Sequence, residues 1–224
     1  SVRMFENFSP MMLELLRDSL WETLIMVGAS GVLGALVGVP LGVFLRLTDQ
    51  GGILPHRGAN MVVGGVVNAV RSTPFIILLV AIIPFTRWVT GTSIGTWAAV
   101  VPLTLAVAPF IARLVETALR EVDNGLVEAA QSMGASTWQI VWKVLLPEAL
   151  PGIVAGLTIS LVSLTGYSAM AGAVGGGGLG DLGIRYGYQR FLPDVMLAVV
   201  VILIVFVQII QSLGDWAVRR MSHR

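Results

Sequence analysis

Four stretches of this chain carry no charged residue: Thr23 to Leu45, Trp88 to Ala112, Ala149 to Gly180 and Val195 to Gly214, of 23, 25, 32 and 20 residues. A helix rises 1.5 Å per residue, so about 20 apolar residues cross the roughly 30 Å hydrocarbon layer of a bilayer. Each run is therefore long enough to span. A fifth apolar stretch, "GANMVVGGVVNAVRSTPFIILLVAIIPFT" from Gly58 to Thr86, is interrupted only by Arg71. It is read as one span with an arginine inside it; the alternative is two re-entrant halves broken at Pro74, which removes a backbone donor and crowds the preceding turn. Hydrophobic residues make up 55% of the 224 and charged residues 12%, against about a quarter charged in soluble domains. The expectation is an all-α polytopic membrane protein, one transmembrane domain over 1–224 with five transmembrane helices near 20–46, 58–86, 88–113, 149–171 and 194–216.

Five spans put the two ends on opposite sides. With the C-terminus cytoplasmic, Arg46, Arg57, Arg113, Arg120, Lys143, Arg219, Arg220 and Arg224 lie inside, and Arg3, Arg17, Arg87, Arg185 and Arg190 outside. The bias of Lys and Arg toward the cytoplasm favours this choice, with the N-terminus outside. The longest polar loop, Arg113 to Glu148, then falls in the cytoplasm between spans 3 and 4. The segment Phe5 to Leu20 is expected to lie along the interface as an amphipathic helix. A cleavable signal peptide fits poorly, because Glu14, Asp18 and Glu22 precede a first apolar run longer than a signal core.

Several classes of function lose support. A net charge of +1 offers no polybasic surface for nucleic acid. No cysteine is present, and His56 and His223 are isolated, so disulfide, redox and metal chemistry have no residues to use. "GGGGLG", Gly175 to Gly180, lacks the Gly-Lys-Ser/Thr ending that holds nucleotide phosphates. It reads as an irregular loop before the last span, either a flexible linker or a gate. Gly34, Gly38 and Gly42 recur every fourth residue in the first span, leaving one helix face bare for close packing.

The informative polar stretch is "EAAQSMGASTWQIVWKVLLPEALPG", Glu128 to Gly152. Asn124 is a cap for a short helix that Gly134 stops. Ser136 caps a second helix, "TWQIVWKVLL", which Pro147 ends. Ile140, Val141, Val144 and Leu145 would pack on the membrane domain, leaving the polar residues facing the cytoplasm.

Glu128-Ala129-Ala130, then Gly134, then Val144-x-Leu146-Pro147 resembles the EAA loop of ABC importer permeases, with valine in place of the usual isoleucine. In that family the loop, here about 120–147, forms coupling helices that sit in a groove of a separate ATP-hydrolysing subunit. The resemblance therefore implies ATPase-coupling roles for Glu128, Ala129, Ala130, Gly134, Leu146 and Pro147. The segments "NAVRSTPFIILLVAIIPFTR", "GTSIGTWAAVVPLTLAVAPFIARLVE", "VLLPEALPGIVAG" and "GYSAMAGAVGGGGLGDLGIRYGY" further resemble the methionine-importer permeases, from about Trp21 to Val218. That likeness implies a homodimer in the bacterial inner membrane, two ATPase subunits beneath and an extracytoplasmic methionine-binding protein above. It implies no catalysis and no cofactor in this chain, with ATP and Mg held by the partner ATPase.

Residues of the translocation path are sought where polar groups enter spans. A charge inside a span is costly and faces protein or water. Three roles compete for Arg71: attracting a substrate carboxylate, capping carbonyls freed at Pro74, and snorkelling to the cytoplasmic edge. Asn68, Ser72 and Thr73 lie close to it in sequence and suggest a buried polar network. In "SLVSLTGYSAM", Ser163, Tyr167, Ser168 and Met170 offer small polar groups, an aromatic ring and a thioether; these either line the path or bond their own helix, as Ser and Thr in membrane helices do. Acidic residues are absent from the long runs, which argues against a proton-driven carrier.

Overall fold

The computed structural model describes residues 5–222, so Arg3, His223 and Arg224 lie outside the described residues. Helix α1 runs from Pro10 to Thr48 without a break. Ser9 caps it, its Oγ accepting from the Met12 amide at 3.2 Å, and Pro10 occupies the first turn, where a missing N–H costs nothing. The expected separate helix at Phe5 to Leu20 is thus the beginning of α1: no glycine or proline stands between Pro10 and Gly28 to end it.

The bare glycine face of α1 meets α5 (Thr96–Arg120). A Cβ on Gly38 would stand 2.6 Å from the Ala108 carbonyl oxygen, and one on Gly42 2.6 Å from that of Ala112; at Gly34 it would strike Val107. The two backbones approach closely because these positions have no side chains. Helix α5 is the most enclosed element, burying Leu103, Val107, Ile111, Val115 and Leu119.

Between them the chain departs from the expected single span. Helix α2 (Arg57–Ser72) and α3 (Phe75–Ala81) meet at an angle of 106°. Pro74 causes the break, since it cannot donate and its ring disfavours a helical residue before it. A further short helix, α4 (Ile83–Thr90), ends at Gly91 in the left-handed conformation. The expected span 88–113 therefore begins later, at Thr96. Among the described residues four helices are long and apolar enough to cross a membrane, and the bent pair α2 and α3 makes a fifth if it counts as one.

After α5 come α6 (Asn124–Ser132), α7 (Thr137–Ile140) and α8 (Leu146–Ala171). A wide π-helical turn, Val141–Leu145, joins the last two into one rod. Pro147 therefore does not end the helix as expected. The extra residue in the π turn makes room for the ring and for the hydrogen bond the proline cannot give. The rod ends in a second π stretch, Gly172–Gly176, followed by α9 (Gly178–Leu182), a third wide stretch over Gly183–Gln189 and α10 (Pro193–Ser222).

The glycine-rich segment has the irregular backbone expected of it, with Val174 and Gly175 outside helical φ/ψ, yet it is held in place. Glu22 accepts from the Gly178 amide at 2.7 Å and Thr23 Oγ1 accepts from the Leu179 amide at 3.0 Å, while the Gly95 amide donates to the Gly175 carbonyl at 2.8 Å. Gly177 and Gly178 have φ of 78° and 82°, a conformation that turns both amides toward α1 and that side chains resist.

Candidate functional site

The loop after α5 is built from local capping. Asp123, not Asn124, caps α6: its carboxylate accepts from the Gly125 amide at 2.9 Å. At the other end Gly134 has φ +77°, its amide donates to the Gln131 carbonyl at 3.0 Å, and the Ala135 amide donates to Ala130 at 3.1 Å. This paired closure is how a left-handed glycine satisfies the last helical carbonyls. Two residues on, Ser136 and Gln139 cap one another, at 3.3 Å and 2.8 Å, which starts α7.

The two short helices share a sorted surface. Ala130, Ile140, Val141 and Leu145 are buried in the main core, with Val144 and Leu146 half-buried beside them. Glu128, Ala129, Gly134 and Pro147 are exposed. So are Met133, Trp138 and Trp142, at 82%, 71% and 64%. With Leu126 at 42%, four large apolar side chains stand exposed on an otherwise polar hairpin, the kind of patch that accompanies interaction sites. Sequence reading passed over the two tryptophans, although their spacing of four residues on a short helix was visible.

Directly behind this hairpin lies an ion cluster that the charge-free runs did not reveal. Glu116, 5% exposed, accepts from Arg113 at 2.6 Å and from Arg120 at 2.7 Å. Arg120 also pairs with Asp49 at 3.0 Å. Arg113 reaches across to α2, donating to the Gly64 carbonyl at 3.1 Å and to Asn68 Oδ1 at 3.0 and 3.2 Å. One buried carboxylate thus ties the end of α5 to the end of α1 and to the middle of α2. Glu116→Leu removes the partner of two guanidiniums, and thermal unfolding is expected to show a loss of about 1–3 kcal/mol. A loss below about 0.5 kcal/mol, the range of ordinary surface changes, would show that the cluster does not hold these helices together.

The residues expected to line a translocation path do not all come together. Tyr167 stacks on Phe75, with ring centroids 5.0 Å apart and planes 18° from parallel. The pair opens onto a cleft of about 220 Å³ shared with Arg71, Thr73 and Phe110. Ser163 is half-buried one turn before Tyr167, and exposed Met170 follows about one turn after it on the same face. Ser168, by contrast, is buried on another face and donates to the Thr165 carbonyl at 2.7 Å. At 100° per residue it points away from Ser163 and Tyr167, so it does not join them. The expected buried network around Arg71 is also absent in the chain: Asn68, Arg71 and Ser72 are exposed. Ser72 donates to the Asn68 carbonyl at 2.7 Å and Thr73 to that of Ala69 at 3.0 Å, while the Asn68 side chain is occupied by Arg113. The hydroxyls are satisfied by their own helix.

Comparison with known proteins decides the family. The model for "Binding-protein-dependent transport system inner membrane component" matches residues 38–223. The chain belongs to this family of inner-membrane transport components. Among its relatives in the family, the chain is similar to the probable D-methionine transport system permease protein MetI of Vibrio cholerae, at 57% identity over 94% of each chain. It is 48% identical to the protein of the same description from Pasteurella multocida, over 96% of this chain and all of that one. Its fold resembles a chain of the inward-facing MetNI methionine ABC transporter with TM-score 0.94 and 53% identity, covering 96% of this chain and 99% of that one. A more distant likeness in fold, to an amino acid ABC transporter solved with histidines, has TM-score 0.74 at 21% identity over 93% and 94% of the two chains and bears on the fold alone.

Proposed function

We propose that this chain is the permease subunit of an ATP-driven methionine importer. Two copies enclose the solute path, and each rests on a separate subunit that binds and hydrolyses ATP with Mg; an extracytoplasmic binding protein delivers the amino acid. The N-terminus lies outside and the C-terminus in the cytoplasm, so that the hairpin from Asp123 to Pro147 faces the ATPase. The single observation that carries this reading is the hairpin itself: two capped helices with Trp138 and Trp142 displayed outward and Ile140, Val141 and Leu145 anchored in the core. Such a surface receives motion from a partner and hands it to α8 through the π turn. Glu128, Ala129 and Gly134 form the rim of the contact. Ala130 and Leu146 anchor it, and Pro147 marks where it enters the membrane rod. Closure of the ATPases on ATP then rocks the spans between inward-open and outward-open states.

The test is uptake of labelled L- and D-methionine into proteoliposomes holding the chain, its ATPase and its binding protein, with ATP or a non-hydrolysable analogue. Accumulation with ATP alone, displaced by methionine and not by other amino acids, is expected. An assembled complex that hydrolyses ATP yet accumulates a different solute would keep the permease and discard methionine.

A further inference from the structure

Arg71 is the one ionisable group that the fold leaves inside the bilayer-crossing part of α2 without a counter-charge. It stands fourteen residues from Arg57, roughly 21 Å of helix rise, too deep for its side chain to reach the interface from which α2 starts. No carboxylate pairs with it among the described residues, and it is exposed in the chain. A guanidinium so placed is expensive unless it faces water or a ligand.

Its surroundings are specific. Arg71 lines a cleft of about 220 Å³ whose other walls include Thr73, Phe110 and the stacked Phe75 and Tyr167. The volume is just under the roughly 300–1,000 Å³ of pockets for drug-sized ligands, which suits one amino acid and not a peptide. The 106° bend at Pro74 adds a second kind of group at the same spot. In the last turn of α2 the Ala69 and Val70 carbonyls accept from the Thr73 hydroxyl and amide, which leaves those of Arg71 and Ser72 without a helical donor, and the Pro74 nitrogen supplies none. Cation, carbonyl oxygens and aromatic rings therefore meet around one small space.

We propose that this cleft is a transient seat for a free α-amino acid during passage: Arg71 binds its carboxylate, the carbonyl end of α2 receives its ammonium, and the rings of Phe75, Tyr167 and Phe110 take an apolar or thioether side chain. A guanidinium matches a carboxylate with two parallel hydrogen bonds, and sulfur packs favourably on aromatic edges. The inference rests on the importer reading and deepens it, since it locates within the permease the groups that read an amino acid after the binding protein has released it. Exposure of Arg71 to the cleft keeps the seat weak, as passage requires.

The chain contains no cysteine, so Ala106→Cys, in the cleft wall, gives it a single thiol. The complex of permease and ATPase, without binding protein, is treated with a small methanethiosulfonate, and modification of this chain is followed by mass spectrometry. L-methionine is expected to slow modification at least fivefold. Methioninol, which lacks the carboxylate, is expected to protect little, and Arg71→Ala in the same background to abolish protection, with Arg71→Lys retaining part of it. Should the Ala106→Cys chain fail to assemble, Thr73→Cys reports on the same cleft. Absence of protection by L-methionine, or equal protection in Arg71→Ala, overturns the proposal. Uptake by the wild-type chain separates the two levels: accumulation of methionine without protection discards the seat and keeps the importer, whereas no accumulation removes the importer reading itself.

Discussion

Replacing Gly134 by aspartate is expected to leave the chain folded in the membrane and to reduce ATP-dependent uptake at least tenfold. The glycine holds φ +77°, and a side chain there costs about 1–2 kcal/mol. Nothing lies within 4 Å of where its Cβ would be, so no packing is lost and the cost stays local. What changes is the hairpin's outer rim, where a carboxylate now projects between Met133 and the capping pair of Ser136 and Gln139. ATP hydrolysis measured beside methionine uptake in proteoliposomes separates coupling from folding. Hydrolysis that continues while uptake collapses supports transmission through the hairpin; normal uptake by the variant would remove Gly134 from the coupling path.

Gly38→Leu should have the opposite signature, a failure of the chain itself. At Gly38 the added Cβ would sit 2.6 Å from the Ala108 carbonyl and 2.8 Å from the Ile111 Cβ. Both belong to the backbone or root of α5 and cannot swing aside. Forcing methylene groups into a packed interior typically costs about 1–3 kcal/mol. A clash with main chain lies at or beyond the upper end, because α1 must separate from α5 along the whole glycine face. Protease resistance and yield of the detergent-purified chain are expected to fall severalfold. Gly28→Leu serves as the control, since a Cβ there has no neighbour within 4 Å. Equal stability of the two variants would show that the glycine seam does not set the distance between α1 and α5.

Features governed by neighbours in sequence were legible in advance. The Ser136 cap, the Gly134 stop, the apolar side of the hairpin after α5 and the bare glycine face of α1 each depend on residues within a few positions or on helical periodicity. The resemblance to importer permeases rested on the same local groups. What escaped was decided across distance or by competition. Glu116 meets Asp49 only through Arg120, and Asn68 and Gly64 only through Arg113, pairings that no local pattern announces. Pro147 looked like a stop because a proline ordinarily removes a helical hydrogen bond; the π turn over Val141–Leu145 just before it is not announced by any local pattern. Ser168 and Tyr167 are adjacent in sequence yet face apart, and only the packing of α8 against α1 and α5 says which of them faces the cleft. At Pro74 both outcomes were visible, and the 106° bend chose the broken one.

Helix α1 has a length that two attachments turn to account. Its 39 residues form a strut of about 58 Å. About a third of the way along it, Glu22 and Thr23 grasp the amides of Gly178 and Leu179. Just past its C-terminal end Asp49 holds Arg120, three residues before the hairpin begins at Asp123. Held at these two points, roughly 40 Å apart along its axis, the rod acts as a gauge between the glycine-rich turn and the start of the hairpin. A displacement at either attachment is therefore carried to the other along one unbroken helix, a mechanical link between two parts of the chain that are distant in sequence.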